Sequence, residues 1–167
     1  MKIAIHGPMG SGKTTLAKML QQRNSQYEIF SFGQKVKDIA TELFGMDPQQ
    51  KDRSLLINVA TKMREIDPDV WAKYVMKQTE TKTHCIIDDL RFQNELNFLQ
   101  GWKIISLQTP YEERVKRIQR IYPDTYRDHI QNMNHPTETD SLSFPENTYF
   151  MDTMNPDLKE LFEFLKE

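Results

Sequence analysis

A phosphate-binding loop is the clearest chemical feature of this sequence. The run Gly7-Pro8-Met9-Gly10-Ser11-Gly12-Lys13-Thr14 matches the pattern G-x-x-x-x-G-K-[ST] at every fixed position. Glycines let successive backbone N–H groups turn towards an anion, and the following helix presents its positive end to it. Lys13 can reach the β- and γ-phosphates of ATP, and the Thr14 hydroxyl can ligate Mg²⁺. The predicted ATP-binding residues are Gly7, Gly10, Ser11, Gly12, Lys13, Thr14 and Thr15.

The loop by itself is shared by kinases, GTPases and motor ATPases. GTPases need a base-reading Asn-Lys-x-Asp segment, and the sequence contains none. AAA-type and helicase-type ATPases are generally larger and polymeric, whereas this chain has 167 residues and carries the loop near its first residue. We therefore expect a kinase that acts on a small metabolite.

A second informative stretch runs from Cys85 to Glu95, where an apolar segment ends in Asp88-Asp89 and Arg91 follows. The carboxyl ends of parallel strands form the edge of a sheet at which ligands bind. A carboxylate there can hold Mg²⁺ through water or orient an acceptor phosphate, and Arg91 can form two hydrogen bonds to a phosphate. On spacing alone, helix capping by Asp89 beside a surface arginine explains the same residues equally well.

The run Asp89-Leu90-Arg91-Phe92-Gln93-Asn94-Glu95 resembles the D-x-R-F-x-N-E element of the deoxynucleoside monophosphate kinases of phages and large DNA viruses. Arg64 with Asp67-Pro68-Asp69-Val70-Trp71 resembles the R…D-P-D-x-W element of that family. Residues 31–37 together with 43–45 are similar to the segment that follows its second strand. The matching elements occur in the same order and extend over most of the chain.

The end of the chain is similar to the family as well, with less specific residues: His135, then Glu138-Thr139-Asp140 and a terminal helix. The sequence departs from the pattern at Gly33, where the family leads us to expect alanine. The chain is also shorter than many relatives, so its acceptor-binding insertion must be reduced. The accepted base and the selectivity for deoxyribose therefore stay open.

The resemblance implies transfer of the γ-phosphoryl group from Mg·ATP to a deoxynucleoside monophosphate, which gives ADP and the diphosphate. It places the protein in deoxynucleotide metabolism, with ATP and the monophosphate as partners. The residues implied in acceptor binding are Phe32, Lys37, Arg64, Trp71, Asp89, Arg91 and Glu95. The implied metal ligands are Thr14 and Asp89, and the residues implied in catalysis are Lys13, Arg117 and Arg120.

Arginines recur at steps of three at positions 114, 117 and 120, close to one face of a predicted helix. Phosphoryl transfer depends on positioning and charge stabilisation, so arginines at the start of a lid can neutralise the transferring group. The alternative is a solvated basic face balanced by Glu112 and Glu113. We favour catalysis for Arg117 and Arg120, and leave Arg114 and Arg127 open.

Other functions and roles compete with this interpretation. A P-loop kinase of phosphomevalonate or dephospho-coenzyme A could use the same scaffold, as could a nucleotide-binding module without turnover. Trp71 falls on an apolar helical face and is as well suited to packing in the core as to stacking on a base. Phe44 is expected to be a core residue. Lys37 and Arg53 can be solvated surface cations. The four histidines show no metal-ligand spacing, so none receives a catalytic role.

Apolar periodicity predicts the elements that carry these residues. Strands are expected at 2–6, 27–32, 84–87, 102–107 and 148–151, and helices at 14–23, 34–44, 92–99, 110–121 and 156–167, with two more between 47 and 80. Strands that alternate with helices indicate an α/β three-layer P-loop NTPase fold, a five-stranded parallel sheet with helices on both faces. We predict one kinase domain over 1–167 and an acceptor-binding region at 33–80. A lid is predicted at 121–145, where the periodicity indicates no helix or strand.

Composition sets limits on the function. Charged residues make up 28% and nearly cancel, with a formal net charge of -2, which argues against a nucleic acid polymer as the main partner. The single cysteine, Cys85, excludes an internal disulfide and a zinc site of the usual four-ligand kind. Without a signal-peptide pattern or an apolar run of about 20 residues, we expect a cytoplasmic protein, in the host cytoplasm if the source is a virus or phage. The sequence leaves the choice between monomer and homodimer open.

Overall fold

Five parallel strands form one sheet in a computed structural model of the chain, which describes residues 1–50, 52–133 and 142–166. The strands are β1 (Lys2–His6), β2 (Glu28–Phe30), β3 (Cys85–Leu90), β4 (Lys103–Gln108) and β5 (Tyr149–Asp152). Their spatial order is β2-β3-β1-β4-β5. The helices of the described ranges are α1 (Lys13–Arg23), α2 (Gln34–Phe44), α3 (Arg53–Ile66), α4 (Val70–Thr79), α5 (Gln93–Asn97), α6 (Tyr111–Ile121), α7 (Tyr126–Asn132) and α8 (Leu158–Phe164). Within those ranges, the helices are all too short or too polar to cross a membrane.

Apolar side chains cover both faces of the sheet, because successive residues of a strand point to opposite sides. Ile3 and Ile5 pack with α1 and α8 on one face, whereas Ala4 and Ile87 pack with α2 to α5 on the other. All four residues are fully buried. Continuous apolar strands of this kind are typical of parallel sheets covered on both faces. The predicted α/β fold, with five parallel strands between two helical layers, is confirmed.

The topology of the sheet determines where a ligand can bind. β1 lies between β3 and β4, so the segments after β2 and β3 lie on one side of it and those after β4 and β5 on the other. Open parallel sheets bind ligands in the crevice at such a point. The loop that follows β1, residues 7–12, therefore lies between two groups of segments that can each supply binding residues.

The predicted lid segment, 121–145, contains a helix that the periodicity did not indicate. α7 follows a short turn after α6, and His129 and Met133 are buried. A helix of seven residues makes only about two turns, which is too short for a clear apolar period. The family-like residues His135, Glu138, Thr139 and Asp140 lie outside the described residues.

The end of α2 corrects the expectation that Phe44 belongs to the core. Gly45 ends the helix with a φ of 68°, as the sequence predicted, and the Met46 N–H donates to the Ala40 carbonyl at 3.1 Å. The chain turns back at this point, so that Met46 is buried whereas Phe44 is 60% exposed.

Candidate active site

The P-loop closes around Lys13, the first residue of α1. Lys13 is 9% exposed, and its Nζ donates to carbonyl oxygens of the loop itself, including that of Gly7. Gly10 and Gly12 have φ values of 79° and 101°, in the left-handed region that favours glycine. A Cβ atom at Gly10 would lie 3.0 Å from the backbone oxygen of Arg114. Glycine is therefore required here for the loop to turn and for α6 to approach it.

The start of α1 provides an anion-binding surface. In the described part of the chain, no side chain caps this helix terminus with a hydrogen bond. Gly12, Lys13, Thr14 and Thr15 line the cavity next to it. The first N–H groups of a helix have no partner inside the helix and carry the positive end of its dipole. The loop and the helix thus present backbone donors and one ammonium group to the same cavity.

A pair of oxygen ligands lies beside the loop. The Thr14 hydroxyl donates to Asp88 Oδ2 at 2.9 Å, and the Ser31 hydroxyl donates to Asp88 Oδ1. Asp88 is 8% exposed and, like Thr14, lines the cavity. Hydroxyl and carboxylate oxygens are the protein ligands that suit Mg²⁺, so these two residues fit the ion that accompanies ATP. In the described ranges there is no cluster of three or more His, Cys, Asp or Glu side chains that could hold a metal ion.

The neighbouring carboxylate, Asp89, which was predicted as a metal ligand, is hydrogen-bonded to backbone N–H groups at the start of α2. Its two oxygens accept from the backbone N–H groups of Phe32 at 2.7 Å and Gly33 at 2.9 Å. Desolvation raises the pKa of Asp89 against the effect of these hydrogen bonds. Asp88 and Asp89 point in different directions because they are consecutive residues of a strand. Asp89 joins β3 to the start of α2, and Asp88 is the carboxylate that faces Thr14.

The β3 side of the cavity carries a cluster of charged residues. Arg64 and Arg91 line it, and the Arg64 guanidinium lies 4.6 Å from the centre of the Phe92 ring. Glu95 accepts from the backbone N–H groups of Arg91 at 3.0 Å and Phe92 at 3.1 Å, which closes the start of α5. Burial of Glu95, which is 3% exposed, together with the charge of Asp89 raises its pKa to about 7. Burial also lowers the pKa of Arg64, and the charge of Glu95 opposes this shift.

The two aromatic residues predicted at the acceptor end are mainly core residues. Phe32 and Trp71 are buried in the cluster between the sheet and α2 to α5, and each also contributes to the cavity wall. The Trp71 indole donates to the Ala60 carbonyl at 3.3 Å, which fixes its ring. Lys37 also lines the cavity, so it is not merely a distant surface cation.

The arginines of α6 lie against the P-loop. Arg117 Nη1 donates to the Ser11 carbonyl at 3.2 Å, and its Nε donates to Glu113 at the same distance. Arg120 lines the cavity with Arg117. Arg114 Nη1 contacts the Met9 carbonyl at 3.4 Å. Arg127 is an exposed side chain on α7 and lies over the Tyr126 ring. Arg114 and Arg117 of α6 thus both contact the P-loop of their own chain.

One continuous cavity of about 970 Å³ joins these groups. It is near the upper end of the usual range for small-molecule sites, about 300–1,000 Å³, which gives space for two substrates. Every predicted site residue lines it except Gly7, which lies behind the loop as the acceptor for Lys13.

Sequence reasoning missed two parts of this cavity. On the β4 and β5 side, α6 and the segment after β5 contribute an apolar wall, formed by Ile118, Ile121, Met151, Pro156 and Leu158. At the lid, Tyr122 and His129 line the cavity together with Arg53. The apolar periodicity of α6 could have indicated the apolar wall, because it places Ile118 and Ile121 near one helical face. The second group had no such signal, because α7 was not predicted.

Comparisons with known proteins agree with this architecture. A family model described as an AAA domain matches residues 3–134, from β1 to just beyond α7. The chain belongs to this AAA-domain family. A chain of 167 residues carries the domain, so chain length no longer argues against an AAA-type protein. A comparison with curated protein sequences gives no match.

Solved structures share the fold of this AAA-domain protein over nearly its whole length. Shikimate kinase from Acinetobacter baumannii in complex with shikimate is 17% identical, with a TM-score of 0.54 over 99% of this chain and 90% of that one. Shikimate kinase from Aquifex aeolicus is 14% identical, with a TM-score of 0.54 over 99% and 96%. A gluconokinase from Sinorhizobium meliloti is 12% identical, with a TM-score of 0.54 over 99% and 89%. The fold is that of the P-loop kinases.

Proposed function

We propose that the protein transfers the γ-phosphoryl group of Mg·ATP to the phosphate of a deoxynucleoside monophosphate. The observation that carries the proposal is the single cavity with the P-loop at its centre and a separate cationic end at Arg64 and Arg91. A nucleotide bound by the P-loop leaves that end for a second, anionic substrate. Reaction between two bound substrates requires this side-by-side arrangement.

The residues on the two sides of the P-loop then have distinct roles. An oxygen of the acceptor phosphate forms a bond to the γ-phosphorus, the bond from that phosphorus to the bridging oxygen breaks, and ADP leaves with the electron pair. Lys13, Arg117 and Arg120 neutralise the charge of the transferring group. Arg64 and Arg91 hold the acceptor phosphate, with the guanidinium forks suited to two parallel hydrogen bonds.

Thr14 and Asp88 would hold Mg²⁺ on the nucleotide side. When bound, the ion would supply positive charge that offsets the charge of the nucleotide phosphates. Ser31 keeps the Asp88 carboxylate oriented towards this position through its own hydroxyl.

The choice of a nucleotide as acceptor rests on the D-x-R-F-x-N-E resemblance together with the position of its residues. Arg91, Phe92 and Glu95 from this element all line the cavity. The wall opposite them comes from α3, where Leu56, Ala60 and neighbouring residues form an apolar stripe. A cationic end beside an apolar wall suits a monophosphate that carries a base.

Two other reactions compete with this proposal. The names of the shikimate kinase and gluconokinase structures favour a kinase whose acceptor is a small anion without a base, and guanidinium groups bind carboxylates as well as phosphates. The AAA-domain description also fits an enzyme that transfers the phosphoryl group to water. Hydrolysis needs no cationic acceptor end, and Arg117 from the same chain already reaches the P-loop, so we favour transfer to an anionic acceptor.

A coupled assay of ADP release separates these reactions. The panel comprises the four deoxynucleoside and four ribonucleoside monophosphates, phosphomevalonate, dephospho-coenzyme A, shikimate, gluconate and a sample without acceptor. We expect release that depends on a deoxynucleoside monophosphate. ADP release at the same rate without any acceptor would identify an ATPase, and stimulation by another acceptor alone would replace the proposed substrate class.

A further inference from the structure

The lid helix α7 is attached to α3 on the opposite side of the P-loop by three residues, which we call the lid clasp: Arg53, Tyr122 and His129. Arg53 Nη2 donates to His129 Nδ1. The Tyr122 and His129 rings are stacked, with centroids 4.1 Å apart and planes 12° from parallel. All three side chains line the cavity. The clasp therefore links α3 and α7 at the cavity wall.

The hydrogen bond defines the chemical state of the imidazole. A guanidinium group has donors only, so His129 Nδ1 must be the acceptor and the ring proton must lie on Nε2. His129 is 7% exposed and Tyr122 covers one face of its ring, so the acceptor atom is held in place. Arg53 has five N–H donors in a rigid fork, and the contact with His129 orients the rest of that fork.

Arg53 belongs to the acceptor side of the cavity. α3 turns Arg53, Leu56, Ala60 and Arg64 to the cavity at helical spacing. Arg53 and Arg64 are separated by about three turns, or about 16 Å along the helix axis. Apolar side chains thus lie between Arg53 and Arg64 on the face of α3 that lines the cavity. Arg53 also contacts α7 through His129.

We propose that His129 is a positioning residue, which orients the Arg53 guanidinium towards the bound acceptor when α7 is docked on α3. This inference rests on the proposed function, because it assigns Arg53 to acceptor binding. Docking of α7 and binding of the acceptor both favour the same orientation of Arg53, so each stabilises the other. The lid then closes over the P-loop most firmly when both substrates are present.

Variants of one residue separate the two contacts of His129. His129→Phe retains a flat ring to stack on Tyr122 and removes the acceptor atom. His129→Asn removes the stack and places an amide oxygen, also bonded to Cγ, close to the position of Nδ1. Arg53→Met removes the donor. Lys62→Met is the control, since Lys62 is an exposed cation of the same helix that forms an ion pair with Glu65.

Hydrogen–deuterium exchange of the full chain tests the clasp without any turnover. In peptides that cover residues 122–133, we expect about fivefold to tenfold faster exchange in His129→Phe and Arg53→Met, because loss of a hydrogen bond to a charged group favours local opening. His129→Asn should retain most of the protection, and Lys62→Met all of it. Unchanged exchange in His129→Phe would refute the clasp.

Steady-state kinetics tests the positioning role, with dTMP and dGMP as acceptors. We expect the acceptor KM to rise about tenfold in His129→Phe and Arg53→Met, with the KM for ATP within about twofold of the original. The double variant should resemble the single ones, since both remove the same contact. An unchanged acceptor KM in His129→Phe, or an equal rise in both KM values, would refute the positioning role. Absence of turnover with every monophosphate refutes the proposed function, and with it the positioning role, whereas the exchange experiment still decides the clasp.

Discussion

Replacing Glu95 with Gln is expected to stabilise the protein at neutral pH and to leave its stability unchanged near pH 4.5. Glu95 is buried beside Asp89, which raises its pKa from 4.5 to about 7. Below pH 4.5 the side chain is protonated in both the folded and the unfolded chain. Between pH 4.5 and 7 the unfolded chain releases the proton and the folded chain retains it, so the free energy of unfolding falls as pH rises. The loss is complete above pH 7.

The size of this effect follows from the two pKa values. A rise from 4.5 to about 7 corresponds to about 3 kcal/mol of stability lost above pH 7. Glutamine does not ionise, and its amide oxygen can still accept from the N–H groups of Arg91 and Phe92. Glu95→Gln should therefore be more stable than the original protein by about 3 kcal/mol at pH 8 and by less than about 1 kcal/mol at pH 5.

Urea unfolding at both pH values measures the difference directly, provided that the slopes with urea agree between the two proteins. Glu65→Gln, on the exposed side of α3, controls for the loss of a surface carboxylate. If the difference between Glu95→Gln and the original protein is the same at pH 5 and pH 8, Glu95 is not held in its neutral form by the fold, and the reasoning fails.

Three further predictions concern the reaction. Lys13→Ala should lower turnover by orders of magnitude with an unchanged circular dichroism spectrum, since its charge follows the transferring group; a near-normal rate would remove Lys13 from the mechanism. Arg91→Ala should raise the acceptor KM about tenfold to a hundredfold and leave the KM for ATP unchanged, measured with both substrates varied. If ATP binding weakens instead, the two sites are reversed. Arg117→Ala or Arg120→Ala should lower turnover more than about tenfold with nearly constant KM values, and lysine should restore only part of the rate. Normal turnover in the double alanine variant would leave both arginines as a solvated basic face.

Part of the site could be predicted from the sequence because the residues that form it are close together along the chain. The P-loop has the required residue types at adjacent positions, and Lys13 and Thr14 follow from that pattern. The spacing of three residues between Arg117 and Arg120 places them close together on a helix surface. Both line the cavity in the structure. Arg64 and Arg91 were assigned through the family resemblance, and both line the opposite end.

The directions in which the Asp88 and Asp89 side chains point could not be predicted from the sequence, because they depend on the pairing of β3 with β1. Ala4 pairs with Ile87 and His6 with Leu90, so β3 has one residue more than β1 between the two pairs. Such an irregularity changes which side chain faces the neighbouring loop. The pattern of alternating residues in one strand does not show how that strand pairs with its neighbour, so the sequence could not show which of the two aspartates faces Thr14.

The sequence by itself determined the phosphate-binding loop, the alternation of strands and helices apart from α7, and the parallel sheet between two helical layers. Each depends on contacts between residues that are close along the chain, or on the alternation of apolar residues. Only the tertiary structure decided that Arg117 binds the Ser11 carbonyl and that Arg53 meets His129, since 106 and 76 positions separate these partners. Contacts of that kind arise when the sheet brings distant segments to one edge, and no local pattern specifies them.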